Sequence, residues 1–422
     1  MSMKFHAPFG DPQSVPDRHS LSGHRPFVFF WFARVFSAIA LQIFVVAVGW
    51  QIYALTGSAF SLGLVGLVQF LPILLLTLAV GHVADRYDRR AIVRICQAIM
   101  GGAVAVTALA NFGGWLHPAG IFCAAAVIGA SRSFEHPTMT ALLPKLIDAS
   151  LLPKAAAATA SAMQTAFIIG PVIGGLLYTA SPTAAYAVAA SFFLSAAFFS
   201  ALIDSRLTSS GPHPGSRDSL FSGITYIRSN PAILGAISLD LFSVLLGGAA
   251  ALLPIYARDI LHTGPWGLGV LRSAPAVGAL FMSFILARRP VRNRIGHRMF
   301  AAVIVFGIAT IIFGVSRSLI LSLGALVALG AADVVSVVIR IPLVQIVTPD
   351  RMRGRVSAVN SLFVGTSNQL GEFESGVTAA LFGTVPAVMI GGFGAIAVAL
   401  VWMRLFPQLR NADRFEDVSE IE

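Results

Sequence analysis

Apolar runs long enough to cross a bilayer recur about twelve times along this chain, near 27–55, 60–84, 91–112, 117–134, 155–180, 184–203, 232–257, 265–287, 299–316, 319–340, 356–382 and 386–405. A helical span needs roughly 20 such residues. Within lipid every backbone amide and carbonyl must be paired internally, so only helices and closed barrels can cross. Long runs without alternation predict helices. The fold class expected is therefore an all-α membrane protein of twelve transmembrane helices. Charged residues make up only 11% of the chain and hydrophobic residues 56%, whereas a soluble domain carries about 25% charged residues.

The loops between the runs set an orientation. Gly81–Arg90 reads Gly-His-Val-Ala-Asp-Arg-Tyr-Asp-Arg-Arg, a short charged knot between two spans. The segments 288–298 and 350–355 carry five and three further arginines, while the turns at 56–59, 111–118, 181–183 and 383–385 carry none. Short loops rich in Lys and Arg stay in the cytoplasm. With an even number of spans, both termini are expected there, in a bacterial inner membrane. The net charge of +10 thus belongs to membrane topology and not to a nucleic-acid surface, because no soluble basic domain gathers it. Residues 1–26 lack the apolar core and cleavage site of a signal peptide and read as a cytoplasmic tail. Cys96 and Cys123 both fall inside apolar runs and read as small packing residues.

The two halves are repeats. Arg292–Arg298 overlays Ala84–Arg90 at an offset of 208 residues, placing Asn293 on Asp85, Arg294 on Arg86 and Arg298 on Arg90. Pro26 before the first span matches Pro231 before the seventh, and the Pro137/Pro144 pair matches Pro342/Pro349. Between the halves, Ser209–Gly215 is a flexible linker. Leu220, Phe221, Ile224 and Ile227 behind it share one helical face, which predicts a short amphipathic helix lying in the interface. The expected organisation is a tail (1–26), a six-helix bundle (27–204), a cytoplasmic linker (205–231), a second six-helix bundle (232–406) and a tail (407–422). A duplicated six-span unit is the plan of parallel-repeat transporters.

At this point the chain resembles the major facilitator superfamily. Gly81, Asp85, Arg86, Arg89 and Arg90 resemble its signature loop between spans two and three, with Asp88 where the usual pattern has glycine. Gly170-Pro171 and Gly174-Gly175 resemble the span-five motif of its antiporters, with Ala166 where a glycine is usual. Ser131–Pro144 and Pro349–Asn360 look like the branch that contains the enterobactin exporter and macrolide efflux proteins. The resemblance implies two pseudo-symmetric six-helix bundles around a central cavity. It also implies that Asp85 meets the start of span eleven, at Arg353 or Arg355, as an ionic latch when the cytoplasmic side is shut. The alternative for the loop is a topology signal with headgroup contacts.

Charges deep within spans are costly and mark function. The candidates for proton coupling or for the substrate cavity are Arg34, Asp240, Arg272, Asp333, Glu372 and Glu374. Arg34 and Asp240 lie at matching depths in spans one and seven, which the resemblance places on the central cavity, and so are expected to face one another. Asp333 and Arg340 share a face of span ten. Glu372 lies on a polar stripe of span eleven with Asn368 and Gln369, while Glu374 lies off it; Arg272 of span eight is the expected partner of Glu372. The alternative is that these charges pair permanently and only orient helices. No phosphate-cradling Gly-x-x-x-x-Gly-Lys-[Ser/Thr] loop and no zinc-site spacing occurs, and no nucleophile and base cluster at one depth. The expectation is no enzyme, no cofactor and no metal site, but a monomeric secondary transporter. Its partners would be a small-molecule substrate, protons and membrane lipids, and its work proton-driven export of a small amphipathic compound such as a drug or siderophore. The rivals are a transporter of an endogenous metabolite or lysophospholipid, including an importer, and a non-transporting receptor or assembly partner.

Overall fold

The computed structural model describes residues 21–203 and 217–415, and among them there are helices and no strands. Six helices form the first bundle: Arg25–Thr56, Ala59–Arg86, Arg89–Phe112, Pro118–Leu142, Leu152–Ala180 and Pro182–Ala201, here called spans one to six. Span seven is composite. It runs as an α-helix over Pro231–Leu246, breaks at Gly247-Gly248, and continues in short helical turns to Ile260. Spans eight to twelve are Gly264–Arg288, Ile295–Val315, Leu319–Val347, Asp350–Phe382 and Thr384–Leu405. Ten of the twelve are apolar enough by composition to cross a membrane unaided. Spans four and eleven are not among those ten, and both carry several charged residues in mid-helix.

Within the first bundle, span three packs on span six, spans five and six on span one, and span four on span two. In the second, span ten packs on spans eight and nine, span nine on span twelve, and span seven on span eleven. Two seams join the bundles, five against eight and two against eleven. Glycines allow both. A Cβ on Gly63 would stand 2.9 Å from the Gly376 Cα, and one on Gly175 would stand 2.5 Å from the Pro265 carbonyl oxygen. Such close approach is what small residues supply where helices associate in lipid.

The two ends of the molecule differ. At the end away from the arginine loops, one apolar core runs through both bundles, from Ile43, Val46 and Tyr186 to Leu252, Leu271 and Phe313. At the arginine-bearing end, each bundle has a core of its own, around Phe30 and Leu142 in the first and Ile233, Phe300 and Val356 in the second. Bulk apolar packing therefore closes the far end between the halves and leaves them separately packed at the arginine end.

The segment before span seven is described in part. Residues 204–216, with most of the linker, lie outside the described residues, as do the side chains of Leu220 and Phe221. The helix Arg217–Ser229 packs on spans eleven and seven. Ile227 is buried, the Tyr226 hydroxyl donates to the Val347 carbonyl (3.1 Å), and Gly223 sits against the Arg355 backbone. Of the expected apolar face, Ile224 and Ile227 are described, and both pack into the core of the second bundle. The C-terminal segment is also docked: Leu409 is fully buried, and the Arg294 amide at the start of span nine donates to Asp413.

Candidate functional site: charged residues around a central cavity

Polar groups in a lipid-spanning helix need partners inside the protein, so the partners show how each charge is used. In the second bundle, Asp240 of span seven and Arg340 of span ten are in direct ion-pair contact, and both are almost fully buried (6% and 4% exposed). This corrects an expectation. Asp240 does not face Arg34, and Arg340 is engaged by Asp240 and forms no ion pair with Asp333 on its own helix. Span ten crosses span seven inside one bundle, whereas Arg34 belongs to the other bundle. Asp333 instead borders both the small gap beside Asp240 and the central cavity.

Arg34 has a counterpart the sequence reading overlooked. It shares a pocket with Ser37, Arg132, Glu135 and His136. Glu135 is buried and accepts hydrogen bonds from the Ser37 hydroxyl (2.6 Å) and the Gln97 amide (3.0 Å); the Ser200 hydroxyl donates to Gln97 (2.7 Å). The repeat explains the placement. Glu135 and Arg340 each stand two residues before the proline of spans four and ten. Spans one and four thus hold an arginine and a glutamate where spans seven and ten hold an aspartate and an arginine, so the polarity is reversed between the halves. The residue before a proline disfavours the α region. Spans four and ten nevertheless continue through their prolines. The apolar run near 117–134 ends just before Glu135 and His136, so hydropathy alone does not assign them to the span.

A third charged group lies between the halves. Arg272 of span eight and Glu372 of span eleven are 3.7 Å apart, as the polar stripe of span eleven led one to expect. They line a polar cavity of about 190 Å³ with Gln42, Gln69 and Arg132 of the first bundle and Gln369 of the second. Gln42 and Arg272 also border a larger cavity of about 520 Å³, whose wall is mostly apolar and includes Phe167, Val244, Phe306, Leu326 and Leu329. Glu374, off the stripe, accepts from the Thr378 hydroxyl (2.7 Å) and lines neither cavity.

Asp88, Arg89 and Arg90 of the signature loop make local contacts. Gly81 and Asp85 lie on the last turns of span two, and their side chains fall outside the described residues. Asp88 caps span three by accepting from the Arg90 amide (2.9 Å) and pairs with the Arg90 guanidinium (2.8 Å). Burial alone would push its carboxyl up, but the Arg90 hydrogen bonds and the charges of Arg90 and Arg94 win and hold it below the usual carboxylate range. Arg89 donates to the Ala141 carbonyl, and Arg90 to the Ile203 carbonyl. Arg86 is exposed. On span eleven, Arg353 pairs with Asp350 (2.5 Å) and donates to Gln345, while Arg355 donates to Ser222 of the docked helix (3.0 Å). In this conformation both arginines expected in the latch are engaged elsewhere.

The Gly170-Pro171-x-x-Gly174-Gly175 stretch sits where three helices meet. A Cβ on Gly170 would stand 2.6 Å from the Gln42 side chain, and one on Gly174 would stand 2.9 Å from the Ile43 Cα, both in span one; Gly175 abuts span eight. The Gly269 counterpart would meet the Pro171 carbonyl at 2.4 Å. The motif therefore sets how closely span five approaches its own bundle and the opposite one.

Residues 21–420 match the model of the family described as transmembrane secretion effector. The chain is a major facilitator transporter of that family. This transporter is 27% identical over 419 residues to the multidrug efflux pump Tap of Mycobacterium tuberculosis H37Rv, covering 93% of this chain and 96% of Tap. It is 26% identical over 402 residues to the enterobactin exporter EntS of Citrobacter koseri, covering 93% of this chain and 94% of EntS. Among solved structures, a POT family transporter in complex with 5-aminolevulinic acid aligns with a TM-score of 0.77 at 12% identity, covering 94% of this chain and 99% of that one. A bacterial homologue of the human lysosomal transporter Spinster, inward-facing and occupied, aligns with a TM-score of 0.72 at 13% identity, covering 92% and 99%. These likenesses carry the fold of this transporter, and its chemistry rests on its own residues.

Proposed function

We propose that this transporter exports a small amphipathic molecule from a bacterial cell across the inner membrane, driven by protons moving the other way. The observation that carries the reading is the Arg272–Glu372 pair on the wall of a cavity between the two halves. Charges at this depth are expensive and are kept where they do work. A carboxylate held by a guanidinium keeps its charge, and the same carboxylate in a drier setting takes up a proton. The pair is placed to change setting. Gly376, four residues after Glu372, and Gly269, three before Arg272, form the seams that close the far end. Opening that end shifts the backbones that carry both charges. The efflux relatives support the direction, and the separate cores at the arginine end support a cavity reached from that side. Asp240 with Arg340 is the second candidate for proton movement.

Glu372→Gln tests the reading. In proteoliposomes loaded with a compound first identified by its raised accumulation in a deletion strain, the variant should lose uptake driven by a pH difference and keep counterflow exchange. Glutamine preserves shape while removing the titration. A variant that still concentrates the compound on a pH gradient alone removes Glu372 from the coupling.

The arginine loops support a cytoplasmic side for residues 204–231 and both termini. In a background lacking Cys96 and Cys123, an impermeant maleimide should label Phe112→Cys in intact cells. It should label Ser210→Cys only after permeabilisation. Labelling of Ser210→Cys in sealed cells inverts the topology.

A further inference from the structure

The polar cavity holds more guanidinium than carboxylate, and its guanidinium donors are not used up. Among the described residues Arg132 makes no hydrogen bond and no ion pair, although it lines the cavity and is only partly exposed. Glu135 acts on it only at longer range and acts on Arg34 as well, while its hydrogen bonds come from Ser37 and Gln97. Arg272 faces Glu372 at 3.7 Å, close enough for attraction but beyond a hydrogen bond, so its N–H groups are not committed to that carboxylate. Counting the wall and its neighbours, three arginines (34, 132 and 272) stand against two glutamates (135 and 372), an excess of one positive charge. A guanidinium carries five N–H donors in a planar fork that fits carboxylate and phosphate oxygens in pairs. The arginines come from opposite halves, Arg132 from span four and Arg272 from span eight. An anion held between them bridges the two bundles. The amides of Gln42, Gln69 and Gln369 complete the wall, and the Gln369 carbonyl oxygen is buried without a partner. That acceptor suits a hydroxyl or amide beside the anionic group.

The neighbouring cavity supplies the other half of a ligand. It is about 520 Å³ and mostly apolar, and it meets the polar cavity at Gln42 and Arg272. Its one lining carboxylate, Asp333, belongs to span ten rather than to the spans that form the polar wall.

We propose that the polar cavity is an anion-binding subsite formed by Arg132 and Arg272, and that the transported molecules are amphipathic anions. Their acidic head lies between the two arginines, and their apolar body lies in the larger cavity. This rests on the export reading and adds the charge of the cargo. The head has carboxylate, sulfonate or phosphate chemistry, borne by a free organic acid or by a lysolipid.

Fluorescein and rhodamine 6G test the charge directly, since they share a xanthene core and differ in sign. The purified full chain in phosphatidylcholine nanodiscs is titrated with each dye by fluorescence anisotropy, against empty nanodiscs. Fluorescein should bind, and Arg132→Gln and Arg272→Gln should each weaken it at least tenfold. Arg132→Lys should recover part of the affinity lost in Arg132→Gln, because it keeps the charge but not the paired donors; this variant also controls for folding. Rhodamine 6G binding should be unchanged or tightened in the glutamine variants. Displacement of fluorescein by lysophosphatidylglycerol but not by 4-octylbenzoate supports a lipid source for the head, and the reverse supports a free acid. Fluorescein affinity that is unchanged in both glutamine variants overturns the proposal. So does binding of rhodamine 6G alone, and if cells also expel that dye, the export reading stands without the anion site. Binding of neither dye, with no change in the accumulation of either on deletion of the chain, overturns both.

Discussion

Arg340→Gln is expected to destabilise the protein by about 3–5 kcal/mol, the usual cost of leaving one member of a buried ion pair without the other. The size follows from the site. Asp240 is 6% exposed, and Arg340 is its ion-pair partner. The gap beside Asp240 is lined mostly by Val244, Ala302, Val303, Phe306 and Ala332; the Ser243 hydroxyl donates to the Leu239 carbonyl, and the neutral Ser336 hydroxyl cannot replace the guanidinium charge. Asp333 lies across the same gap, and its negative charge makes an unpaired Asp240 worse. The double variant Asp240→Asn/Arg340→Gln should recover most of the loss, because neutral amides of similar volume leave no bare charge. The measurement is the fraction of monodisperse protein after heating in detergent, read by size-exclusion chromatography for the wild type, both single variants and the double variant. Additive losses in the double variant would show that the two residues do not act as a pair in the folded protein.

That cycle also bears on what the sequence can and cannot disclose. The twelve spans were legible because lipid imposes length and apolarity on each helix separately, so each run carries its own signal. Glu372 and its arginine partner were legible for a related reason: a polar stripe on one helix face is periodic, and both depths follow from the rise per residue. Which charge meets which across helices was less legible. Asp240 pairs with Arg340 and not with Arg34 because spans seven and ten touch within a bundle, and helix adjacency is a tertiary fact that depth alone does not contain. Glu135 lies just past the apolar run that ends near residue 134, and the helix continues beyond that run because its neighbours hold it together. The repeat contained the missing information. Once Arg340 is placed two residues before Pro342, the same offset from Pro137 points to Glu135, a charge inside the membrane. The docked helix Arg217–Ser229 teaches the same lesson, since an apolar face shows that something covers it and not what does.

Replacing Gly376 with alanine should release the far end of the molecule. The new Cβ would stand 2.5 Å from the Gly63 Cα, 2.7 Å from the Gly63 amide nitrogen and 2.9 Å from the Ala59 carbonyl oxygen. All three are backbone atoms of span two, so no flexible side chain can swing aside, and spans two and eleven must separate. Overpacking of this kind costs about 1–3 kcal/mol. Here the cost falls only on the conformation in which the two glycines touch, so the ratio of far-end-closed to far-end-open molecules should drop by about 5- to 150-fold. The fold itself is spared, because each bundle keeps its own core at the arginine end. The probe is Leu62→Cys, which is 5% exposed beside the polar cavity in the closed form. In a background lacking the native cysteines, Gly376→Ala should speed its reaction with an impermeant maleimide added on the far side, and transport should slow because the closed form is visited less. Gly324→Ala serves as the control, since a Cβ there meets nothing within 4 Å. Unchanged labelling in a well-folded Gly376→Ala protein would mean that span two yields without opening the seam, and the glycine contact would then have no part in gating.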